Sequence, residues 1–313
     1  MPRIKELDYL KGILILLVVA FHLVYFSELY PYAKRVVYTF HMPAFLLISG
    51  YLMNFEKAGK SFCATMLWLA VPYLIMEGGY VVMASVLPIR EHIEYLTPVV
   101  FLDKLLLHPI GPYWYLQTLV VCGIGWRLLL HFEKLHLTVK ILLFCGTLYL
   151  CKDFEIITPA CGYYFLAGAL MRNKKVDFTL LFKGRLICPI LFAILICIET
   201  NLNMANQWGI LIVYTFISSG MYAFEKLENH GGRVMQMLKF IGRNTLTIYL
   251  FSPIFTILCK HLVSLLRFDP TGLIFLILSL LICTTGSLAI ARMLELLGIS
   301  KWMFGRKELI VWS

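Results

Sequence analysis

The chain has 313 residues, of which 60% are hydrophobic and 15% charged, and its mean hydropathy is +0.80. A soluble domain of this composition would expose large apolar patches, so the composition excludes an ordinary soluble protein and indicates one with several membrane-spanning helices. The net charge of +10 does not indicate nucleic-acid binding, because the basic residues lie singly or in pairs at helix ends rather than on one face.

Ten apolar runs of helix length set the predicted architecture. They fall near residues 8–30, 36–53, 62–88, 112–130, 138–151, 157–171, 186–200, 207–225, 240–262 and 271–297. Lys and Arg accumulate in cytoplasmic loops, and most of the 28 basic residues fall in the cytoplasmic segments if the N-terminus is inside. The sequence therefore predicts an all-α, polytopic integral membrane protein, a single domain over residues 1–313, with ten transmembrane helices and both termini in the cytoplasm.

Three ionisable side chains, Asp8, Lys11 and His22, share one face of the first predicted helix. At about 100° per residue, Lys11 lies about 20° and Asp8 about 40° from His22 around the helix. A straight helix separates Lys11 from His22 by about 16 Å along its axis, which puts the base near one surface and the imidazole inside. Ionisable groups are costly in a membrane and so indicate a functional site. The alternatives are a structural imidazole and an interfacial ion pair between Asp8 and Lys11.

The second predicted helix adds His41 and Ser49. His41 lies two residues before Pro43, and a proline can break or kink a helix. We expect such a break to aim His41 into the cavity that holds His22, while capping of the kink is the structural alternative. The pair Ser49-Gly50 favours close helix packing over a nucleophile, since small residues let membrane helices approach each other.

Further along the chain, Glu77 and Trp114 are predicted, together with Ser49, to line a polar cavity. Trp114 also fits an aromatic belt at the membrane interface. The longest predicted outer loop, residues 89–111, is either an acceptor-facing surface or a solvated connector. The nine cysteines are spread singly and form no Cys-x-x-Cys pair, which predicts reduced core thiols and no metal site, with a bridge between Cys151 and Cys161 as the alternative.

The ionisable residues belong to a longer pattern. It comprises Arg3, Leu7-Asp8, Lys11-Gly12, His22, Phe40-His41-Met42-Pro43 and Ser49-Gly50-Tyr51, with weaker matches at Val71-Pro72-Tyr73-Leu74, Trp114-Tyr115-Leu116, Ile241-Gly242-Arg243-Asn244-Thr245-Leu246 and Ile248-Tyr249-Leu250. This pattern resembles the membrane acyltransferase 3 family, most closely its fucose-O-acetylase-like and nodulation-factor-acetylase-like members. This chain departs from the family pattern at three places: members usually have Arg at the position of Lys11, most have basic residues where this chain has Met66–Ala70, and many have a histidine where it has Phe251-Ser252.

The resemblance implies an O-acyltransferase that moves an acetyl group from acetyl-CoA to a sugar hydroxyl of a cell-surface polysaccharide or its lipid-linked precursor. His22 is then the general base, assisted by His41, because the attacking hydroxyl must lose a proton and an imidazole with an ordinary pKa of about 6.5 suits that task. Arg3, Asp8 and Lys11 would contact acyl-CoA at the cytoplasmic face. Direct transfer and a transient acyl-histidine both fit this arrangement.

The expected partners are acyl-CoA, a carbohydrate or lipid-linked glycan, and the bilayer of the cell inner or plasma membrane. No bound cofactor, metal or nucleic acid is expected, and a homo-oligomer is compatible with the sequence. A polytopic transporter or flippase of glycans is the alternative, but polar residues crowd into the first two helices rather than between two halves. A haem protein ligated by His22 and His41 lacks a second histidine pair on facing helices.

Overall fold

The computed structural model describes residues 3–87, 91–228 and 230–312. Arg90, in the predicted outer loop, lies outside the described residues. The described residues form helices, turns and irregular connections without a strand, so the predicted all-α class is confirmed.

In chain order the α-helices are α1 (Lys5–His22), α2 (Val24–Leu29), α3 (Pro31–Leu52), α4 (Gly59–Val86), α5 (Pro98–Leu106), α6 (Trp114–His131), α7 (Leu137–Asp153), α8 (Pro159–Asn173), α9 (Phe178–Leu181), α10 (Ile187–Ile196), α11 (Gln207–Leu227), α12 (Gly232–Arg243), α13 (Thr245–Leu258), α14 (Leu262–Leu265), α15 (Leu273–Leu296) and α16 (Ser300–Phe304).

The chain divides into two compact units. The first contains the residues up to Phe45, Asp177–Trp302, and those from Arg306 onward, and the second contains Leu46–Val176 and Met303–Gly305. In the first unit, α1 packs against α12, α13, α11 and α15. In the second, α4 packs against α5 and α6, and α8 packs against α6 and α7.

Within the described residues, four helical stretches are long and apolar enough to cross a membrane: Gly59–Val86, Gln207–Leu227, Thr245–Leu265 and Leu273–Leu296. The third of these continues from α13 through a short 3-10 turn into α14. Helices of this length and composition are typical of a membrane protein. The count of ten spans and the cytoplasmic termini stay predictions.

The predicted first span is two helices rather than one. The helix α1 ends at His22, and α2 begins at Val24 after Leu23, whose backbone is extended with φ −72° and ψ 100°. The apolar run from residue 8 to 30 gave no sign of this break, because an extended residue can be as hydrophobic as a helical one. The consequence is that His22 lies at a helix end.

Besides the short helices α9, α14 and α16, two helices of the described residues lie wholly or largely outside the predicted spans. The first is α5, inside the predicted outer loop, where the Thr97 hydroxyl accepts a hydrogen bond from the Val100 amide and Pro98 takes the first helical position. That combination is a recognised helix start. The second is α12, which ends at Arg243, so that the predicted run from residue 240 is a separate helix beginning at Thr245.

Pro43 does not break its helix, since α3 runs continuously from Pro31 to Leu52. Because proline has no N–H, the carbonyl of Thr39 four residues earlier loses its helical partner. His41 does not cap that carbonyl, because its ring bonds the carbonyl of Val37 instead. The expected break at Pro43 is therefore wrong, and the orientation of His41 comes from the regular helix.

Glycines let α1 and α12 touch through their backbones. A Cβ atom on Gly242 would overlap the carbonyl oxygen of Asp8, and one on Gly12 would overlap the carbonyl oxygen of Leu238. In the second unit, a Cβ on Gly50 would likewise overlap the carbonyl oxygen of Phe165. The prediction that Gly50 marks close helix packing is therefore confirmed.

The C-terminal segment, residues 307–312, is held by side chains at helix ends. Glu295 Oε1 accepts hydrogen bonds from the amides of Leu309 and Ile310 at 2.6 and 2.8 Å. The buried Asn244 side chain pairs with both backbone groups of Val311, accepting from its N–H at 2.9 Å and donating to its C=O at 3.2 Å. These contacts attach the segment to α15 and to the junction of α12 and α13.

All nine cysteines are free thiols. Cys151 and Cys161 are therefore not joined, and the sequence-based prediction of reduced cysteines agrees with the structure.

Candidate active site

The first turns of α1 hold one carboxylate between two cations. Asp8 is buried, with 6% of its surface exposed. Its Oδ2 lies 2.6 Å from Arg3 Nε, and its Oδ1 lies 3.0 Å from Lys11 Nζ. The structure thus brings together all three residues predicted to bind acyl-CoA, and the predicted ion pair between Asp8 and Lys11 is present.

This cluster carries one net positive charge, because one carboxylate neutralises only one of the two cations. The Arg3 side chain is 43% exposed and that of Lys11 19% exposed, so a ligand can reach both. Arginine and lysine side chains form charge-assisted hydrogen bonds with phosphate groups. Because both side chains are partly exposed, they can do so while they also contact Asp8. The geometry suits an anionic ligand.

His22 is the last residue of α1, and its proton position is fixed by the helix. Its Nδ1 lies 2.7 Å from the carbonyl oxygen of Val18. A carbonyl oxygen can only accept a hydrogen bond, so Nδ1 carries the proton in the neutral ring. The basic lone pair is then on Nε2, which is the atom that would take a proton from a substrate.

His41 repeats this arrangement on α3. Its Nδ1 lies 2.6 Å from the carbonyl oxygen of Val37, and only 3% of the residue is exposed. The same reasoning places the neutral lone pair of His41 on Nε2. Two histidines on different helices therefore have the same tautomer fixed in the same way.

Tyr38 connects the two histidines. Its hydroxyl donates to the carbonyl oxygen of Phe21 at 3.3 Å, next to His22 in the chain. Its ring lies 5.1 Å from the His41 ring, with 32° between the two planes. The two imidazoles are also close enough to interact electrostatically. The structure thus brings the two predicted catalytic residues together in the first unit.

Sequence reasoning missed Tyr38. The available signal was its spacing, because residues three apart share a helix face and Tyr38 precedes His41 by three. An exposed tyrosine near a membrane surface is common, however, so the spacing alone does not single it out.

The three predicted cavity-lining residues lie in the second unit. Ser49 Oγ is 2.6 Å from the hydroxyl of Tyr115. Trp114 begins α6 and is half-buried, and its carbonyl accepts from the Thr118 hydroxyl. Among the described residues, no hydrogen bond or ion pair joins Ser49, Glu77 and Trp114 to one another.

Glu77 holds the loop between α5 and α6. It is fully buried, its Oε1 accepts from the Ile110 amide at 2.7 Å, and its Oε2 has no hydrogen-bond partner among the described residues. Glu91 accepts from the next amide, Gly111, at 2.6 Å. Gln117 donates to the carbonyls of residues 106 and 107 at 2.9 and 3.0 Å. This part of the predicted outer loop is therefore an anchored structure rather than a loose connector.

His108 in the same loop binds two acceptors at once. Its Nε2 lies 2.8 Å from the Phe154 carbonyl oxygen and its Nδ1 lies 2.6 Å from Asp103 Oδ1. Hydrogen bonds to the Phe154 carbonyl and the Asp103 carboxylate raise the pKa of His108. Partial burial opposes it, but hydrogen bonds from His108 and Lys104 lower the pKa of Asp103. Both shifts favour the charged pair.

The fold and these contacts define a helical membrane protein whose first two long helices carry a cationic cluster and a histidine pair. The chain matches the acyltransferase 3 family, described as an acyltransferase domain, over residues 4–292, and it therefore belongs to that family. Nodulation protein NolL of Sinorhizobium fredii is 45% identical over 76 residues, which make up 22% of this chain and 20% of that protein. The similarity thus spans a fifth of that relative's length. No solved structure matches the chain significantly.

Proposed function

We propose that this acyltransferase moves an acetyl group from acetyl-CoA to a sugar hydroxyl of a cell-surface polysaccharide or its lipid-linked precursor. The choice of acetyl and sugar is supported by the resemblance to fucose-O-acetylase-like and nodulation-factor-acetylase-like members. The observation that carries the proposal is the pairing of His22 with His41, both with the basic lone pair on Nε2.

The proposed reaction is a direct transfer. The acceptor hydroxyl oxygen attacks the thioester carbonyl carbon, and His22 Nε2 takes the hydroxyl proton as the new C–O bond forms. The C–S bond then breaks, and the proton passes from His22 to the thiolate, which leaves as free CoA. The hydrogen bond from Nδ1 to the Val18 carbonyl keeps the ring in the required tautomer and orientation throughout the reaction.

Donor and acceptor enter at opposite ends of α1 in this proposal. Arg3 and Lys11 bind the phosphates or the pantetheine arm near the start of the helix, and Asp8 holds both side chains in position. The helix is 18 residues long, and at about 1.5 Å per residue it spans about 27 Å. An acyl-pantetheine arm that follows this helix brings the thioester towards His22, while the bulk of the nucleotide stays at the cationic end.

The test is acetyl transfer by purified protein reconstituted in proteoliposomes, with radiolabelled acetyl-CoA and a panel of glycans. We expect His22→Gln to insert normally and bind acetyl-CoA with unchanged affinity, while its turnover falls by about 10² to 10⁴-fold. If His22→Gln keeps more than about a tenth of the wild-type turnover, His22 does not make the rate contribution expected of a general base. A structural imidazole would instead show first as lost expression or a lowered melting temperature.

We also propose that residues 1–313 form one acyltransferase domain with ten spans in the cell inner or plasma membrane and both termini in the cytoplasm. The bias of basic residues towards alternate loops supports this arrangement. Cysteine labelling from each side should place residues 172–185 and the C-terminal segment inside and residues 91–111 outside. Labelling of the C-terminal segment from outside would contradict it.

A further inference from the structure

Three side chains form a row along one face of α3, leading from the beginning of the helix to the histidine pair. Lys34, Tyr38 and His41 are spaced by four and three residues, which places them on the same face. Lys34 Nζ lies 5.7 Å from the centre of the Tyr38 ring, and that ring lies 5.1 Å from the ring of His41. The row therefore consists of an ammonium, a phenol and an imidazole in continuous contact.

Access to this row decreases from the helix end inward. Lys34 is half-buried, Tyr38 is 39% exposed, and His41 is 3% exposed. A molecule that approaches where α3 begins would meet the ammonium and the phenol ring before it reaches the imidazoles. At about 1.5 Å per residue, Lys34 and His41 are about 10 Å apart along the helix axis, which is close to the length of two sugar rings.

The adjacent cation on α3 is already neutralised, whereas Lys34 is not. Arg35 forms an ion pair with Glu199 and lies against the Tyr32 ring. No carboxylate of the described residues lies within ion-pair distance of Lys34. Its ammonium lies over the ring face of Tyr38 in a cation–π contact. A half-buried ammonium without a counter-ion favours an anion at that position.

We infer that the acceptor carries a negative charge and that Lys34 binds this anionic group while the reacting hydroxyl reaches His22 and His41. The inference rests on the proposed function and adds the charge class of the acceptor. Tyr38 supplies the flat surface between the two, along which a sugar ring can lie. The anionic group is either a carboxylate on the glycan, as in a uronic acid, or a phosphate of a lipid linkage.

The experiment compares three acceptors in the reconstituted transfer assay: a neutral oligosaccharide, the same oligosaccharide with one uronic acid, and the neutral oligosaccharide on an isoprenyl diphosphate. Each is measured with the wild type and with K34Q, K34R and R35Q. The variant R35Q is the matched control, since it removes the same charge from the next residue of the same helix. Circular dichroism and insertion assays establish that each variant is folded.

We expect K34Q to raise the KM for an anionic acceptor about tenfold, as for the loss of one hydrogen bond to a charged group, with little change in kcat. The KM for the neutral oligosaccharide should stay the same, K34R should largely restore the anionic acceptor, and R35Q should resemble the wild type. An effect confined to the uronic-acid acceptor identifies a sugar carboxylate. An effect confined to the diphosphate acceptor identifies a lipid linkage.

Three results would overturn the inference. In the first, the wild type uses all three acceptors equally well. In the second, K34Q and R35Q raise the KM equally, which would show that the effect comes from the positive charge of this surface in general and not from Lys34. In the third, the wild type acetylates none of the three, and the proposed function then fails together with the inference.

Discussion

At its first turns α1 carries a carboxylate between two cations, whereas at its last residue it carries an imidazole whose Nδ1 bonds a backbone carbonyl oxygen. Asp8 can be charged while buried because Arg3 and Lys11 neutralise it at 2.6 and 3.0 Å. His22 has a carbonyl oxygen at Nδ1, which fixes one proton and leaves the lone pair on the other nitrogen. In the proposed reaction, the first end of the helix binds the charged donor and the last residue moves a proton.

The comparison separates two kinds of kinetic effect. A change at the cationic end should act on the affinity for the donor, because in the proposed function those groups contact a part of the substrate that does not react. A change at the histidine end should act on turnover, because in the proposed function the imidazole interacts with the proton that moves in the transition state. The following predictions test this separation, beginning with the largest expected effect.

Replacement of His41 should lower turnover while leaving the donor site intact. We expect His41→Ala to reduce kcat by about tenfold to a hundredfold, below the 10² to 10⁴-fold typical of a general base, because His41 positions or assists His22 rather than replacing it. The measurement is steady-state kinetics with acetyl-CoA varied. A raised KM for acetyl-CoA with an unchanged kcat would contradict this prediction, because it would show that His41 acts on donor binding rather than on turnover.

A methyl group at Gly242 should disturb the cationic end. The added Cβ would overlap the backbone of Asp8, and backbone atoms cannot rotate away, so α12 must move off α1. We expect Gly242→Ala to lower the free energy of unfolding by about 1–3 kcal/mol and to raise the KM for acetyl-CoA. Thermal unfolding in detergent and donor kinetics measure the two effects.

The control for Gly242 is Gly146, which lies in α7 with nothing within 4 Å of an added Cβ. Alanine is a better helix former than glycine, so Gly146→Ala should leave stability unchanged or slightly higher. Equal destabilisation by the two substitutions would show that the contact between α1 and α12 has no special role.

Lys11 should affect donor affinity alone. We expect Lys11→Met to raise the KM for acetyl-CoA about tenfold, as for one lost contact to a charged group, with kcat unchanged. Lys11→Arg should keep both constants near wild type, because a guanidinium can replace an ammonium against a phosphate. If Lys11→Met leaves the KM unchanged, the residue only pairs with Asp8.

The smallest effect concerns His108, in the second unit. Because the folded pKa of His108 is raised, its charged form stabilises the loop fully below the ordinary value of about 6.5, and that contribution is lost as the pH rises through the raised folded value. Hydrogen-exchange protection of the amides of residues 105–108, 110 and 111 should therefore fall between about pH 5.5 and about pH 8.5.

The matched variant is His108→Leu, which should show the lower protection at both pH values and wild-type acetyl transfer. Protection equal to that of the wild type at the lower pH would show that the hydrogen bonds of His108 do not hold the loop. Reduced transfer would place the loop in the acceptor site.

The sequence allowed the positions and shared face of Asp8, Lys11 and His22 to be predicted, because helical periodicity and the cost of burying ionisable groups are local properties. The break at Leu23 was not predictable, since hydropathy does not report backbone conformation. The pairing of Asn244 with Val311 joins residues 67 positions apart, and no spacing rule within one helix reaches that far. The helix α12 was not predicted, although Gly232–Arg243 arranges polar and apolar residues with a helical period that could have indicated it.

The anchored C-terminal segment has a practical consequence for anyone who purifies or labels this protein. Its last described residues are bound through their own backbone groups, with the Arg243 guanidinium donating to the Trp312 carbonyl at 2.8 Å. A reporter or affinity tag fused close to Trp312 should disturb its hydrogen bond to Arg243 at the end of α12. Because Gly242 contacts the backbone of Asp8, the disturbance should extend to that residue. A long flexible spacer should prevent this disturbance. Under the proposed function, the measured affinity for acetyl-CoA would therefore show whether a given tag is tolerated.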